Sequence, residues 1–231
     1  TEDGIEIENY CNEKNIVLIE DSAHALGSKY QDKMCGSLGS ISIFSFTPHK
    51  IITMGQGGLV LTDNDKLYEY LVDLKTFNRS KDKSDWHDGF GLNFKITDLQ
   101  SALGLSQFEK INEFVKVKRE MFQIYKSSIE NYNFINFFEY ETPWFVDLIC
   151  KSETERNDLK LSLEDNNILT RESYPALSKQ SFLQSVEKTN LEFSENVSDS
   201  ILWLPSSTNL TKDQINEIVD QISTLWATKY L

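Results

Sequence analysis

Apolar positions in the first part of the chain fall in short blocks separated by polar turns. The run Ile16-Val17-Leu18-Ile19 is apolar throughout, which predicts a buried strand of a parallel sheet. Residues 41–46 predict a second strand. Leu59-Val60-Leu61 predicts a third, returning to the sheet after a turn that Gly57 and Gly58 permit at low steric cost. Asn64 or Asp63 can cap a helix carrying Leu67, Leu71 and Leu74. Residues 78–91 are polar and predict a loop holding Trp86 and His87. From Ile96 the apolar positions Leu99, Leu103, Phe108, Ile111, Val115, Phe122, Tyr125 and Ile129 keep the three-and-four spacing of one helical face. That pattern predicts a single long helix bridging two domains.

Beyond Asn131 the pattern is that of a smaller α/β domain. Ser152-Glu153-Thr154-Glu155 is a capping-box sequence ahead of Leu159 and Leu163, and Thr211-Lys212-Asp213-Gln214 is another ahead of Ile215, Ile218, Val219, Ile222 and Leu225. Residues 144–149 and 200–204 predict strands, the second stopped by Pro205. The alternation of strand and helix places the chain in the α/β class. Residues 1–130 are expected to form the later half of a large domain with its bridging helix, and 131–231 a small carboxyl-terminal domain.

Composition narrows the function. With 39% hydrophobic residues in 231 the chain can bury a real core. A net charge of −13 without any basic run argues against nucleic-acid binding. Cys11, Cys35 and Cys150 are odd in number and lack the spacing of a metal site, so no metal is expected, and they read as reduced thiols of a cytoplasmic protein. No stretch has the length and apolarity to span a bilayer, and none reads as a signal peptide.

Lys50 stands among residues suited to one kind of chemistry. Asp21 lies at the carboxyl end of the first expected strand and Ser45 near the end of the second, the edge where open α/β sheets collect ligands. His24 follows Asp21 by three residues, in what reads as the first turn of a helix. Lys50 sits in a loop stiffened by Pro48, ahead of Gly55-Gln56-Gly57-Gly58. A carboxylate that keeps a ring nitrogen protonated, an amine that forms a Schiff base and later carries a proton, and a hydroxyl for a phosphate ester are the parts that hold pyridoxal 5'-phosphate. Taken singly each residue has a plainer reading: Asp21 as a cap or loop residue, His24 as a packed imidazole, Asn93 as a helix cap.

The segments IEDSAHALGSKY, GSLGSISIFSFTPHK, GQGGLVLTDND and GLNFKITDLQSALGLSQFEKI resemble the DegT/DnrJ/EryC1/StrS sugar aminotransferases, across nearly the whole chain. The resemblance implies an aspartate-aminotransferase-like fold (pyridoxal phosphate fold type I), here a partial large domain with the smaller one. It implies that Asp21 pairs with the pyridine nitrogen, His24 lies beside the cofactor, Ser45 binds its phosphate and Lys50 is the Schiff-base lysine. Asn93 would reach the cofactor phosphate of a neighbouring subunit, in a homodimer with shared sites. The implied reaction moves an amino group from an amino acid, glutamate, to a nucleotide-linked keto-sugar, and Thr142-Pro143-Trp144 with Tyr174-Pro175 and Lys179-Gln180 leans toward perosamine formation. Such an anionic substrate would need local positive charge from Lys29, Arg79, Arg171 or Lys179. Relatives commonly have histidine where this chain has Ser178, and several elements precede the Asp21 strand in the family, so the chain is expected to be the carboxyl-terminal part of a longer enzyme. The alternatives are a non-catalytic or regulatory protein of the same fold, or an inactive fragment.

Overall fold

Three short strands carry the residues that matter in the first half of the chain. In the computed structural model, which describes residues 3–138 and 140–230, β1 (Ile19–Asp21) pairs in parallel with β4 (Ile41–Ser45), and β5 (Gly58–Leu61) pairs antiparallel with β4. Ahead of them lies α1 (Gly4–Lys14), and between β1 and β4 a hairpin of β2 (Lys29–Tyr30) and β3 (Lys33–Met34). The sheet order is β1-β4-β5. The expectation of a strand covered on both faces fails at its first members: Val17 is 68% and Ile19 64% exposed. β1 pairs with one strand only, so among the described residues nothing covers its outer side.

A carboxylate secures this sheet. Glu20 accepts hydrogen bonds from the N–H groups of Gly36, Leu38 and Gly39 and from the hydroxyls of Ser22 and Ser42. One side chain thus binds the loop 36–39 and β4 to β1. Desolvation raises the Glu20 pKa, but the hydrogen bonds from Gly36, Leu38, Ser22 and Gly39 outweigh it and the carboxyl lies below its usual range.

Most helices follow the local sequence. Asn64, not Asp63, caps α2 (Asp65–Lys75), its side chain accepting from the N–H of Lys66 and of Leu67. The single long helix expected from Ile96 is two, α3 (Asp98–Phe108) and α4 (Ile111–Ser128). At the join Lys110 N–H bonds to the Gln107 carbonyl, a tighter turn that ends α3 without a glycine or proline to announce it. Thr97 and Gln100 form a reciprocal capping box at the start of α3. Phe46, Ile51, Ile52 and Met54 form a small core with Leu26, Ile111 and Phe114 against it. Gly104 of α3 is required there, since a Cβ would come within 2.6 Å of Met54 Cγ.

The chain divides into two units, Thr1–Val115 with Glu139–Trp144, and Lys116–Phe138 with Phe145–Leu231. The second is a four-stranded antiparallel sheet in the order β6-β7-β9-β8, made of β6 (Asn133–Phe134), β7 (Val146–Ile149), β8 (Arg171–Glu172) and β9 (Ile201–Leu204). Its helices are the later part of α4, then α5 (Glu153–Asp165), α6 (Glu192–Ser200) and α7 (Lys212–Tyr230). Both expected capping sequences act as caps. Ser152 accepts from Glu155 N–H, and Thr211 and Gln214 bond reciprocally. Glu155, however, reaches back to the N–H of Lys151 instead of the cap residue. The apolar faces of α4, α5 and α7 meet in one core containing Met121, Phe122, Tyr125, Leu163, Leu202 and Ile222. Helix α6 went unforeseen because Phe193 and Val197 are its only apolar side chains and Phe193 is exposed. Lys118 and Tyr125 on α4 donate to the carbonyls of Ser206 and Pro205 at 2.6 and 2.9 Å, fixing the segment after β9.

Two outcomes follow. Glu20→Gln should destabilise the protein by about 2 kcal/mol near neutral pH, the scale of hydrogen bonds to a charged acceptor. Because the folded pKa is depressed, the wild-type advantage is full above the ordinary carboxyl value of 4.5 and should shrink as pH falls through the lower folded value. Urea denaturation of both proteins against pH measures this, and a pH-independent difference would rule out the charged clasp. Lys118 has a dependence of the same sign in a higher pH range. Burial pushes its amine down to about 8 from 10.5, so the unfolded chain holds more protons between those values and native stability should gain up to ~1.4 kcal/mol per pH unit there. The wild-type minus Lys118→Met difference should move in that direction from about pH 8 to about pH 10, and a flat difference would show that Lys118 does not titrate as a buried amine.

Candidate active site

Asp21 ends β1, and its partner in register on β4 is Ile43, two residues before Ser45. Parallel pairing therefore brings both residues to the carboxyl edge of the sheet, as expected. Asp21 Oδ1 accepts the N–H of Ala23 at 3.0 Å, which starts a chain of turns: Ala25 N–H bonds to the Ser22 carbonyl and Ser28 N–H to that of Ala25. Gly27 completes it in the left-handed region at φ 82°. His24 thus lies in a turn and not in the first turn of a helix. The two backbone bonds each span three residues and neither is continued, so no helical ladder forms.

Lys50 sits in a tight loop after β4, its N–H bonded to the Thr47 carbonyl at 3.1 Å. The turn leading to β5 uses Gly55, at φ 77°, for its left-handed residue, in place of the Gly57 and Gly58 expected. Gly58 belongs to β5, where a Cβ would meet the Phe44 carbonyl oxygen at 2.9 Å. Ser45 Oγ and Thr47 Oγ1 are 3.4 Å apart, a pair of hydroxyls at the strand end.

A tryptophan outside the expected set joins these parts. Lys50 Nζ stands 4.0 Å from the centroid of a Trp144 ring, and the His24 ring stacks on the indole at 3.7 Å with a 35° tilt. The indole N–H donates to the His49 carbonyl at 2.7 Å. The segment bearing Trp144 is stitched to the same unit by Thr142 N–H to Ser28 Oγ and by Lys29 N–H to the Tyr140 carbonyl, each 2.9 Å. The sequence pattern had put Trp144 inside a strand, but that strand, β7, starts at Val146. Pro143 lacks an N–H for a sheet ladder, and that was the available signal.

The three titratable groups influence one another. Burial lowers the pKa of Lys50 and the Asp21 carboxylate opposes this. Burial also lowers the pKa of His24, Lys50 lowers it further, and Asp21 raises it. The site thus favours a neutral imidazole and an amine more easily freed of its proton than one in water. Asn93 stands elsewhere in the unit, exposed, in an isolated antiparallel bridge to Thr76. It is not a helix cap, since Thr97 caps α3, and among the described residues no hydrogen bond joins it to Asp21, His24, Ser45 or Lys50. An apolar cavity of about 680 Å³ in this unit, lined by Leu26, Phe44, Met54 and Phe108 among others, contains none of the five expected site residues. Among the described residues no group of His, Cys, Asp and Glu could hold a metal ion, and no helix is long and apolar enough to cross a membrane.

In the second unit the loop after β8 is tied down. Ser178 Oγ donates to Glu195, and Lys179 forms an ion pair with Asp199. The Arg171 guanidinium lies over Tyr174 and Trp203, 5.5 and 5.4 Å from their ring centroids.

Comparison with known proteins agrees with this architecture. The GDP-perosamine synthases of Escherichia coli O157:H7 and Vibrio cholerae are each 32% identical to this chain, over 97% and 94% of it. The chain spans 62% and 61% of their lengths. Among solved structures, Helicobacter pylori PseC, an aminotransferase involved in the biosynthesis of pseudoaminic acid, superposes with a TM-score of 0.88 at 23% identity, covering 97% of this chain and 63% of that one. The α/β fold implied by the resemblance is therefore the fold found. The profile of the DegT/DnrJ/EryC1/StrS aminotransferase family matches residues 3–223, and the chain belongs to that family.

Proposed function

We propose that this chain carries part of the active site of a pyridoxal phosphate-dependent aminotransferase that moves an amino group from an amino acid, glutamate, to a nucleotide-linked keto-sugar for surface-polysaccharide synthesis in the cytoplasm. The observation that supports it most is the convergence of Lys50, Asp21 and His24 at one strand edge, with the amine's pKa lowered by burial. Two of the relatives are GDP-perosamine synthases and one of Campylobacter jejuni is a UDP-4-amino-4,6-dideoxy-N-acetyl-beta-L-altrosamine transaminase, which favours a 4-keto-6-deoxy sugar as acceptor.

The residues present fit the cofactor. Asp21 offers a carboxylate whose charge favours a protonated ring nitrogen, Ser45 and Thr47 offer hydroxyls to a phosphate ester, and Lys50 offers an amine to an aldehyde. When bound, pyridoxal phosphate supplies an electron sink for the loss of a carbon-bound proton. Lys50 would hold the cofactor and, once released, carry that proton between carbons, while His24 packs beside the ring. Asn93, exposed and uncommitted to a helix cap, would meet the phosphate held by a second subunit. A second reading, that this chain keeps the site but turns nothing over alone, is favoured by the apolar side chains of Val17, just before β1, Ile19 of β1, and Leu59 and Val60 of β5, each at least 44% exposed.

Borohydride reduction of the protein with pyridoxal phosphate, followed by peptide mapping, should place a single pyridoxyl group on Lys50. Asp21→Asn should keep that adduct yet lose amino transfer by about a thousandfold or more, the scale of a group stabilising developing charge. Label on Lys29 or Lys33, or near-normal turnover of Asp21→Asn, would overturn the assignment, and trapping on Lys50 without turnover of the wild type would support the second reading. Shared sites have their own measurement. Once subunit exchange is shown, mixing inactive Asn93→Ala and Lys50→Ala proteins should restore activity above either parent, through hybrids in which one site carries both defects and the other neither. A mixture as inactive as its components would return Asn93 to a structural role.

A further inference from the structure

Contacts of Trp144 with His49, Lys50 and His24 all bear on the placement of Lys50. Its indole N–H holds the carbonyl of His49, the residue before Lys50, at 2.7 Å. Its π face lies 4.0 Å from Lys50 Nζ, well inside the range over which an aromatic face attracts a cation. The His24 ring packs against the indole at 3.7 Å with a 35° tilt and so restrains its plane. Backbone, side-chain tip and ring orientation around Lys50 are thus set by one residue, delivered by a segment anchored through Ser28 and Lys29.

We propose that Trp144 is a positioning residue for Lys50, one that holds its amine in a fixed place whenever the amine is charged and unengaged. The inference rests on the proposed function for its purpose but not for its geometry. The attraction of the indole is for the ammonium, and a neutral amine gains little from it. Trp144 therefore retains Lys50 between events and releases it as the proton leaves. The pair returns to the same geometry when the proton comes back. Titratable groups facing the amine are Asp21, whose carboxylate favours the ammonium, and His24, which burial keeps toward its neutral form. Trp144 adds to the effect of Asp21 and acts against burial.

The test needs variants that keep the shape of the ring while weakening its face. Tryptophan bearing one, two and four fluorines, placed at position 144 alone, does this with little change of volume. Trace acetylation of the full chain across a pH series, with the Lys50 peptide quantified by mass spectrometry, reads the titration of the Lys50 amine without cofactor. The midpoint should fall stepwise along the series, by roughly half a pH unit in total for a partly exposed contact, while the midpoint of exposed Lys66 stays constant. Trp144→Phe keeps a π face and loses the N–H, so amide exchange at Lys50 should accelerate in that variant. A Lys50 midpoint that ignores fluorination, or Lys50 exchange unchanged in Trp144→Phe, would overturn the positioning role. Failure of the proposed function gives a different result: borohydride then traps no cofactor on wild-type Lys50, while the fluorine series still shifts its titration.

Discussion

The parallel pairing of β1 with β4 is the constraint on which the candidate site depends. Parallel strands end on the same side, so Asp21 and Ser45 share an edge only because Asp21 stands opposite Ile43 in this register. A slip of one residue would turn every side chain of β1 to the other face. Glu20 opposes that slip, since its carboxylate binds the loop 36–39 and Ser42 to β1 at the residue next to Asp21. A charged acceptor with several donors is a directional lock, which apolar contacts on a half-exposed strand cannot provide.

On that frame the chemistry is arranged by burial and short-range charge. Lys50 and His24 are both pushed toward their neutral forms by desolvation, and Asp21 opposes the push on both. The balance suits an amine that must alternate between charged and neutral, and it arises although the chain as a whole carries a net charge of −13. Trp144 belongs to the same balance. Its ring gives the charged form of the amine a favourable face.

The second unit is stabilised in another way. Its sheet is covered by helices, of which α4, α5 and α7 have apolar stripes plain in the sequence, and Lys118 and Tyr125 reach the carbonyls of Ser206 and Pro205. Burying a lysine amine this deeply is costly at neutral pH, yet its bond to Ser206 fixes the exit of the central strand β9. No residue of the proposed cofactor site comes from this unit.

Sequence alone determined the strands that end at Asp21 and Ser45, the caps at Ser152 and Thr211, the apolar faces of α5 and α7, and the family, because each is written in a local pattern or a contiguous motif. It singled out Asp21, His24, Ser45 and Lys50 as candidates for the same reason. Tertiary structure decided the rest. It set the break between α3 and α4, which no glycine or proline marks, and the exposure of Val17 and Ile19, which depends on what lies beside a strand and not on the strand itself. It also placed Trp144 against Lys50 and His24, which lie far away in the chain, since only the fold brings such distant residues within a few ångströms.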